Sequence, residues 1–295
     1  MKNRIVVSCI LSLLLVVSVC LAQLQLPQSK VDGLVRTIHE EMQQSGAPGA
    51  VFAIVQGDKI VYEGAFGVAN VETGMPMTTS TVFAMASVTK FFTALALLTA
   101  VEEQDLGVNT TAGSVVSGLS EKPSALTLHH LLSQSAGILD WWPNTHECKE
   151  SLFEYFQKAG DRAVFIDQGS VFSYSNNGFA LAGLMLSRLK QMSYTMAIDS
   201  IVCVPLGMNH TTFRFEEAAV HAFAAGHSKN FKTGLVIPSA SRLTDPVIQP
   251  AGDLQYGRNS NDVHRLYTRW TSEILFGLSR LGVWLWLVCV RTQRD

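Results

Sequence analysis

The chain has 295 residues, of which 47% are hydrophobic and 16% charged, with a formal net charge of −2 and a pI near 6.4. That apolar content suits a sizeable core in one large domain or two small ones. The balanced charge and the lack of any Lys/Arg-rich run set nucleic acid aside as a partner.

Lys2 and Arg4 precede an unbroken apolar and small-residue run from Ile5 to Ala22. This is the pattern of a signal peptide over residues 1–22, cleaved after Ala22, and it predicts a secreted or extracytoplasmic protein. An uncleaved anchor is the alternative, although the run is barely long enough to span a bilayer. Membrane contact is then expected only through the signal or anchor segment. Two sequons, Asn109-Thr110-Thr111 and Asn209-His210-Thr211, suit such a location. Loss of the leader leaves Cys148, Cys203 and Cys289, too widely spaced for a disulfide framework or a zinc site, with a single Cys148–Cys203 bridge left open.

Val31, Leu34, Ile38 and Met42 recur at helical spacing, so an amphipathic helix is predicted over Val31 to Gln43, ended by Ser45-Gly46. Pro48 to Gln56 and Lys59 to Phe66 are β-rich runs around Gly57-Asp58, a hairpin signal. A polar, Thr-rich stretch from Asn70 to Thr81 follows. From there to about Leu206 the spacing is helical over Thr89 to Glu103, Thr127 to Leu132, Ser151 to Lys158 and Asn177 to Lys190, with loops at Ser117 to Pro123 and Trp141 to Thr145. A helix and hairpin followed by a long helical insertion predict a sheet domain with a helical lobe over residues 82–206. A cleft between two such lobes is a usual place for a site.

Within this pattern the segment Phe83 to Phe92 joins a nucleophile to a base. A serine hydroxyl attacks a carbonyl only with a neighbouring proton acceptor and a site for the developing negative charge. In a helix starting at about Ser87, Lys90 lies on the same face three residues on. Phe91, Phe92, Leu95, Leu97, Leu98 and Val101 are apolar on several sides, which predicts a buried helix. Burial disfavours a lysine's charged form, making Lys90 a candidate base. Ser-x-x-Lys alone is weak, since a chain of this length holds about one match by chance at average usage. A second copy, Ser187 to Lys190, lies late in a helical run and reads as a solvated helix face.

Phe172-Ser173-Tyr174-Ser175-Asn176-Asn177-Gly178 places a phenol and an amide two residues apart, just before an apolar helix. Tyr174 is a candidate proton relay to a leaving group, and Asn176 a candidate for hydrogen-bonding a substrate amide. A buried tyrosine and a turn or N-cap asparagine are the plainer alternatives. His129 and His130 are adjacent and point about 100° apart on a helix, so they are read as structural. No metal site and no cofactor are predicted.

Together these residues resemble the serine β-lactamase and penicillin-binding-protein superfamily, with the class C β-lactamases, related esterases and D-amino-acid peptidases as the best likeness. That superfamily combines a Ser-x-x-Lys helix, a Tyr-x-Asn element and a Lys/His-x-Gly strand. The first two are matched by Ser87/Lys90 and Tyr174/Asn176. Leu126 to Gly137, Pro205-Leu206-Gly207-Met208 and Gln249 to Leu254 resemble further family segments in order. The likeness implies an α+β, β-lactamase-like fold over residues 31–270, an antiparallel sheet flanked by helices plus a helical lobe. It further implies a serine hydrolase that acts on an amide or ester of a small molecule or peptide through a Ser87 acyl-enzyme.

The third element departs from the pattern. Lys232-Thr233-Gly234 matches it by letter but precedes the Gln249 to Leu254 segment, and it reads more simply as a hairpin turn. Residues 271–295 form a divergent hydrophobic tail, too short between charges to be a membrane span, so the family's C-terminal strands are expected to be missing. A truncated, catalytically impaired member that acts as a binding protein or does not fold stably therefore stands as the alternative.

Overall fold

The structure, a computed structural model, describes residues 26–56, 59–140, 152–214, 217–218, 220–229, 236–239, 255–256 and 284–289. The expected leader, the 141–145 loop, Cys148, the Lys232-Thr233-Gly234 triplet, the 249–254 segment and the rest of the tail lie outside these. The chain divides into two compact units. One comprises Met1–Thr81, Ala224–Ala240 and Asn259–Asp295, the other Val82–Phe223 and Ser241–Arg258.

In the first unit, helix α1 (Gln28–Ser45) starts after Pro27, whose fixed φ and missing N–H suit a helix start. It ends where Gly46 turns left-handed at φ +75° and donates to the Met42 carbonyl at 2.9 Å. Strands β1 (Gly49–Gln56) and β2 (Lys59–Asn70) pair antiparallel from Gly49 opposite Gly67 to Gln56 opposite Lys59. Alternate residues of a strand share a face, and Ala50, Phe52 and Ile54 of β1 are buried with Ile38 of α1. The Phe52 ring lies 5.3 Å from that of Tyr62 and 5.5 Å from that of Phe66. Strand β3 (Met75–Pro76) adds to the outer side of β2.

In the second unit the short strand β4 (Phe83–Ala84) leads through a 3-10 turn (Ala86–Val88) into α2 (Thr89–Glu102). There follow α3 (Ala112–Val115), α4 (Glu121–Ala125), α5 (Leu128–Leu132), α6 (Leu152–Ala159), α7 (Asn176–Lys190) and α8 (Tyr194–Ile198). The expected loop at Ser117 to Pro123 thus runs into a short helix, which Pro123 tolerates within its first turn. α2 and α7 are buried on several faces, with Phe92, Leu97, Leu181 and Met185 at most 1% exposed. Strand β5 (Thr211–Thr212) belongs to a small antiparallel sheet described below.

Back in the first unit, β6 (Gly226–Lys229) and β7 (Val236–Ser239) form an antiparallel pair with Lys229 opposite Val236. The Lys-Thr-Gly triplet falls in the connection between them. In the second unit β8 (Gln255–Tyr256) lies between β4 and β5.

The last strand, β9 (Trp284–Cys289), pairs antiparallel with β1, with Ala50 opposite Cys289 and Val55 opposite Trp284. The larger sheet has the order β3-β2-β1-β9. Part of the stretch read as a divergent hydrophobic tail thus pairs with the edge of β1. Its Trp and Val residues favour a pleated surface, and six residues match an ordinary strand length. Among the described residues no helix is long and apolar enough to cross a membrane.

Candidate active site

Ser87 lies in the 3-10 turn, two residues earlier than the first residue of α2. The helix was expected to begin at about Ser87. The tighter turn replaces its first residues, as is common at helix N-termini. Ala86 enters this turn at φ +45°. Left-handed backbone costs an L-residue about 1–2 kcal/mol and persists where the surroundings over-determine it. Ser87 in this turn and Lys90 in the first turn of α2 are three residues apart and so lie on one side. Lys90 Nζ lies 3.4 Å from Ser87 Oγ, and Lys90 is only 7% exposed while Ser87 is exposed.

Three further side chains converge on this pair. The Tyr174 hydroxyl donates to Ser87 Oγ at 2.8 Å. Lys90 Nζ donates to Asn176 Oδ1 at 2.7 Å and lies 4.7 Å from the centre of the Tyr174 ring. The Phe179 ring centre lies 5.7 Å from the same nitrogen. All four residues singled out in the sequence, Ser87, Lys90, Tyr174 and Asn176, are thus brought into one hydrogen-bonded cluster.

Two residues to which the sequence assigned no role hold the Tyr174 segment in place. Gln134, 8% exposed and at φ +59°, accepts the Ser173 N–H on its backbone oxygen at 2.7 Å. Its side-chain oxygen accepts the Ser175 N–H at 2.8 Å, so Gln134 grips the backbone on both sides of Tyr174. Ser175 caps α7 by accepting the Gly178 N–H at 3.1 Å. Asp140 accepts the Asn176 backbone N–H at 2.5 Å and the Asn176 side-chain N–H at 3.1 Å. Neither contact has a sequence signature, since both partners reach across from the loop after α5.

Nearby titratable groups show the influence of burial. Tyr155 is held above the usual phenol range by burial, with a hydrogen bond from Asn177 opposing and the Asp140 charge adding to it. His130 is held below the usual imidazole range by burial and by His129. The Thr127 hydroxyl accepts the His130 N–H and the His130 Nδ1 accepts the Thr127 N–H, each at 3.3 Å, a reciprocal cap at the start of α5. Among the described residues no group of three or more His, Cys, Asp or Glu is placed to hold a metal ion. Cys203 is buried, and the sequon residues Asn109 and Asn209 are exposed.

The second Ser-x-x-Lys copy has different partners. The Ser187 hydroxyl donates back to the Gly183 carbonyl at 3.0 Å, and Lys190 pairs with Glu103 at 2.6 Å. It forms part of the outer face of α7.

The Beta-lactamase family model matches residues 34–269. The chain is 27% identical over 229 residues to "Protein flp" of Staphylococcus aureus (strain COL), covering 74% of this chain and 45% of that protein. It is 29% identical over 237 residues to "Penicillin-binding protein 4" of Amycolatopsis lactamdurans, covering 78% of this chain and 58% of that protein. The octameric penicillin-binding protein homologue from Pyrococcus abyssi superposes with a TM-score of 0.70 at 27% identity, over 83% of this chain and 57% of that one. The chain therefore spans about half the length of the relatives it matches.

Proposed function

Because the chain belongs to the Beta-lactamase family, a family of the serine hydrolase type, we propose that it hydrolyses an amide or ester bond of a small molecule or peptide through an acyl-enzyme on Ser87. One observation carries this reading: the Tyr174 hydroxyl and the Lys90 amine both lie within 3.4 Å of Ser87 Oγ. A hydroxyl rotates to donate or accept, so the Ser87 proton has two routes away from Oγ.

In this reading Ser87 Oγ bonds to the substrate carbonyl carbon as its proton passes to Lys90, directly or by way of Tyr174. The bond from that carbon to nitrogen or oxygen then breaks, and the leaving group takes a proton from Tyr174, which regains one from the protonated Lys90. Water attacks the ester left on Ser87, releasing a carboxylic acid and restoring the hydroxyl. The leader read over residues 1–22 supports action outside the cytoplasm.

A fluorophosphonate probe or a labelled penicillin should modify the folded protein at Ser87 and leave Ser87→Ala unmodified. Folded wild-type protein that takes up neither label would defeat the proposal. One observation favours a second reading, a family member impaired in catalysis: the strands flanking Lys232-Thr233-Gly234 form a two-stranded hairpin apart from the four-stranded sheet. Reversible binding of penicillin with no covalent mass increase on Ser87 would select it.

A further inference from the structure

We propose that Asp140 is a positioning residue that sets the orientation of the Asn176 carboxamide and, through it, holds Lys90 toward Ser87. The inference rests on Ser87 as the nucleophile and concerns how its base is kept in place.

A carboxamide has two distinct ends, an oxygen that only accepts and a nitrogen that only donates. Asp140 Oδ2 faces Asn176 Nδ2 at 3.1 Å, and a carboxylate accepts but does not donate. With the nitrogen end fixed there, Oδ1 is turned to Lys90 Nζ at 2.7 Å. A flipped amide would set its oxygen against the carboxylate and its N–H groups against the lysine. The second carboxylate oxygen takes the Asn176 backbone N–H, one of the donors left without a partner in the first turn of α7. This two-point grip fixes both the main chain and the side chain of Asn176. It also leaves one Asn176 N–H for a substrate carbonyl, because the other is taken by Asp140.

A simple helix-capping role for Asp140 predicts something different, and Asp140→Asn separates the two. Asparagine caps a helix about as well as aspartate, so its oxygen would still accept the Asn176 backbone N–H. Its NH2 group would then face Asn176 Nδ2. Relief comes only if the Asn176 amide turns its oxygen away from Lys90.

The test compares probe labelling of Ser87 in wild type, Asp140→Asn and Asp140→Ala at matched probe concentrations, together with their melting temperatures. Positioning predicts that Asp140→Asn is slowed by up to about 100-fold, the scale of a misplaced catalytic group, without a fall in melting temperature. Labelling of Asp140→Asn at the wild-type rate overturns the proposal. Hydrogen exchange at the Asn176 carboxamide, followed by NMR with isotope-labelled asparagine, requires neither activity nor a folded variant. One protected and one fast-exchanging proton in wild type support the grip, and two fast-exchanging protons overturn it. Were wild-type Ser87 to resist the probe, the nucleophile reading would fail, and this exchange measurement alone would decide the placement of Asn176.

Discussion

The phenol oxygen of Tyr174 lies 2.8 Å from Oγ of Ser87, although the two residues are 87 positions apart. The same serine has Lys90 at 3.4 Å, so its hydroxyl stands between two proton-transfer groups. Positioned acid–base groups contribute about 100- to 10,000-fold each. Tyr174→Phe removes the hydroxyl with little change in shape and is expected to slow Ser87 labelling by about 100-fold or more. Lys90→Met keeps an unbranched side chain one atom shorter, without the amine, and is expected to slow it at least as much. A time course of fluorophosphonate labelling followed by mass spectrometry measures both; a wild-type rate in either variant removes that residue from the proton path.

Ala86 carries the left-handed backbone that turns the chain into Ser87. Relief of about 1–2 kcal/mol of strain in Ala86→Gly is opposed by about 0.4–1 kcal/mol from the freer unfolded chain. A net gain of about 0–1.6 kcal/mol follows, read as a higher urea midpoint. A clear loss of stability would show that this φ is unstrained.

Gly137 stands three residues before Asp140 at φ +65°, and a Cβ there would lie 2.3 Å from the Ile166 carbonyl oxygen. Backbone meets backbone, so the loop has to shift. Gly137→Ala is expected to cost about 2 kcal/mol or more, combining the left-handed penalty with that displacement. Because the same loop carries Asp140, labelling of Ser87 should slow as well. Denaturant melts and labelling on one sample check both; a variant as stable as wild type would contradict the contact.

His227 is 2% exposed and accepts the Val71 N–H on Nε2 at 3.2 Å. Burial holds it below its usual value of 6.5, with a backbone bond at Ala225 partly opposing. A group harder to protonate when folded leaves the unfolded chain binding more protons in acid. Its contribution to stability is therefore full above pH 6.5 and is lost as the pH falls from there through the folded pKa. His130 shifts in the same direction and adds to the loss. His227→Gln keeps an acceptor for Val71 but does not titrate. Its melting temperature should fall less than that of wild type between pH 7 and pH 5, and parallel curves would exclude His227 as a contributor.

Local periodicity made much of the scaffold readable. The apolar spacing of Val31, Leu34, Ile38 and Met42 and the stop at Ser45-Gly46 correspond to α1, and Gly57-Asp58 falls between the paired ends of β1 and β2. The predicted helices near Thr89, Leu128 and Asn177 differ from the observed ones by a residue or so. The small β4-β8-β5 sheet escaped this reading because strands of two residues are too short to show alternation. β9 escaped it because an apolar run of that length fits several environments until a pairing partner is known.

The Ser87–Lys90 pairing was contained in the sequence, because three residues along a helical turn place two side chains on one side whatever surrounds them. Which of two Ser-x-x-Lys copies has chemical partners depended on long-range packing. Ser87 meets Tyr174 and Lys90 meets Asn176 across the lobe, while Lys190 meets Glu103 on its surface. The roles of Gln134 and Asp140 belonged to the tertiary structure alone. A glutamine and an aspartate in a loop carry no periodic signal, and their hydrogen bonds exist only once α5, its loop and the start of α7 are packed together.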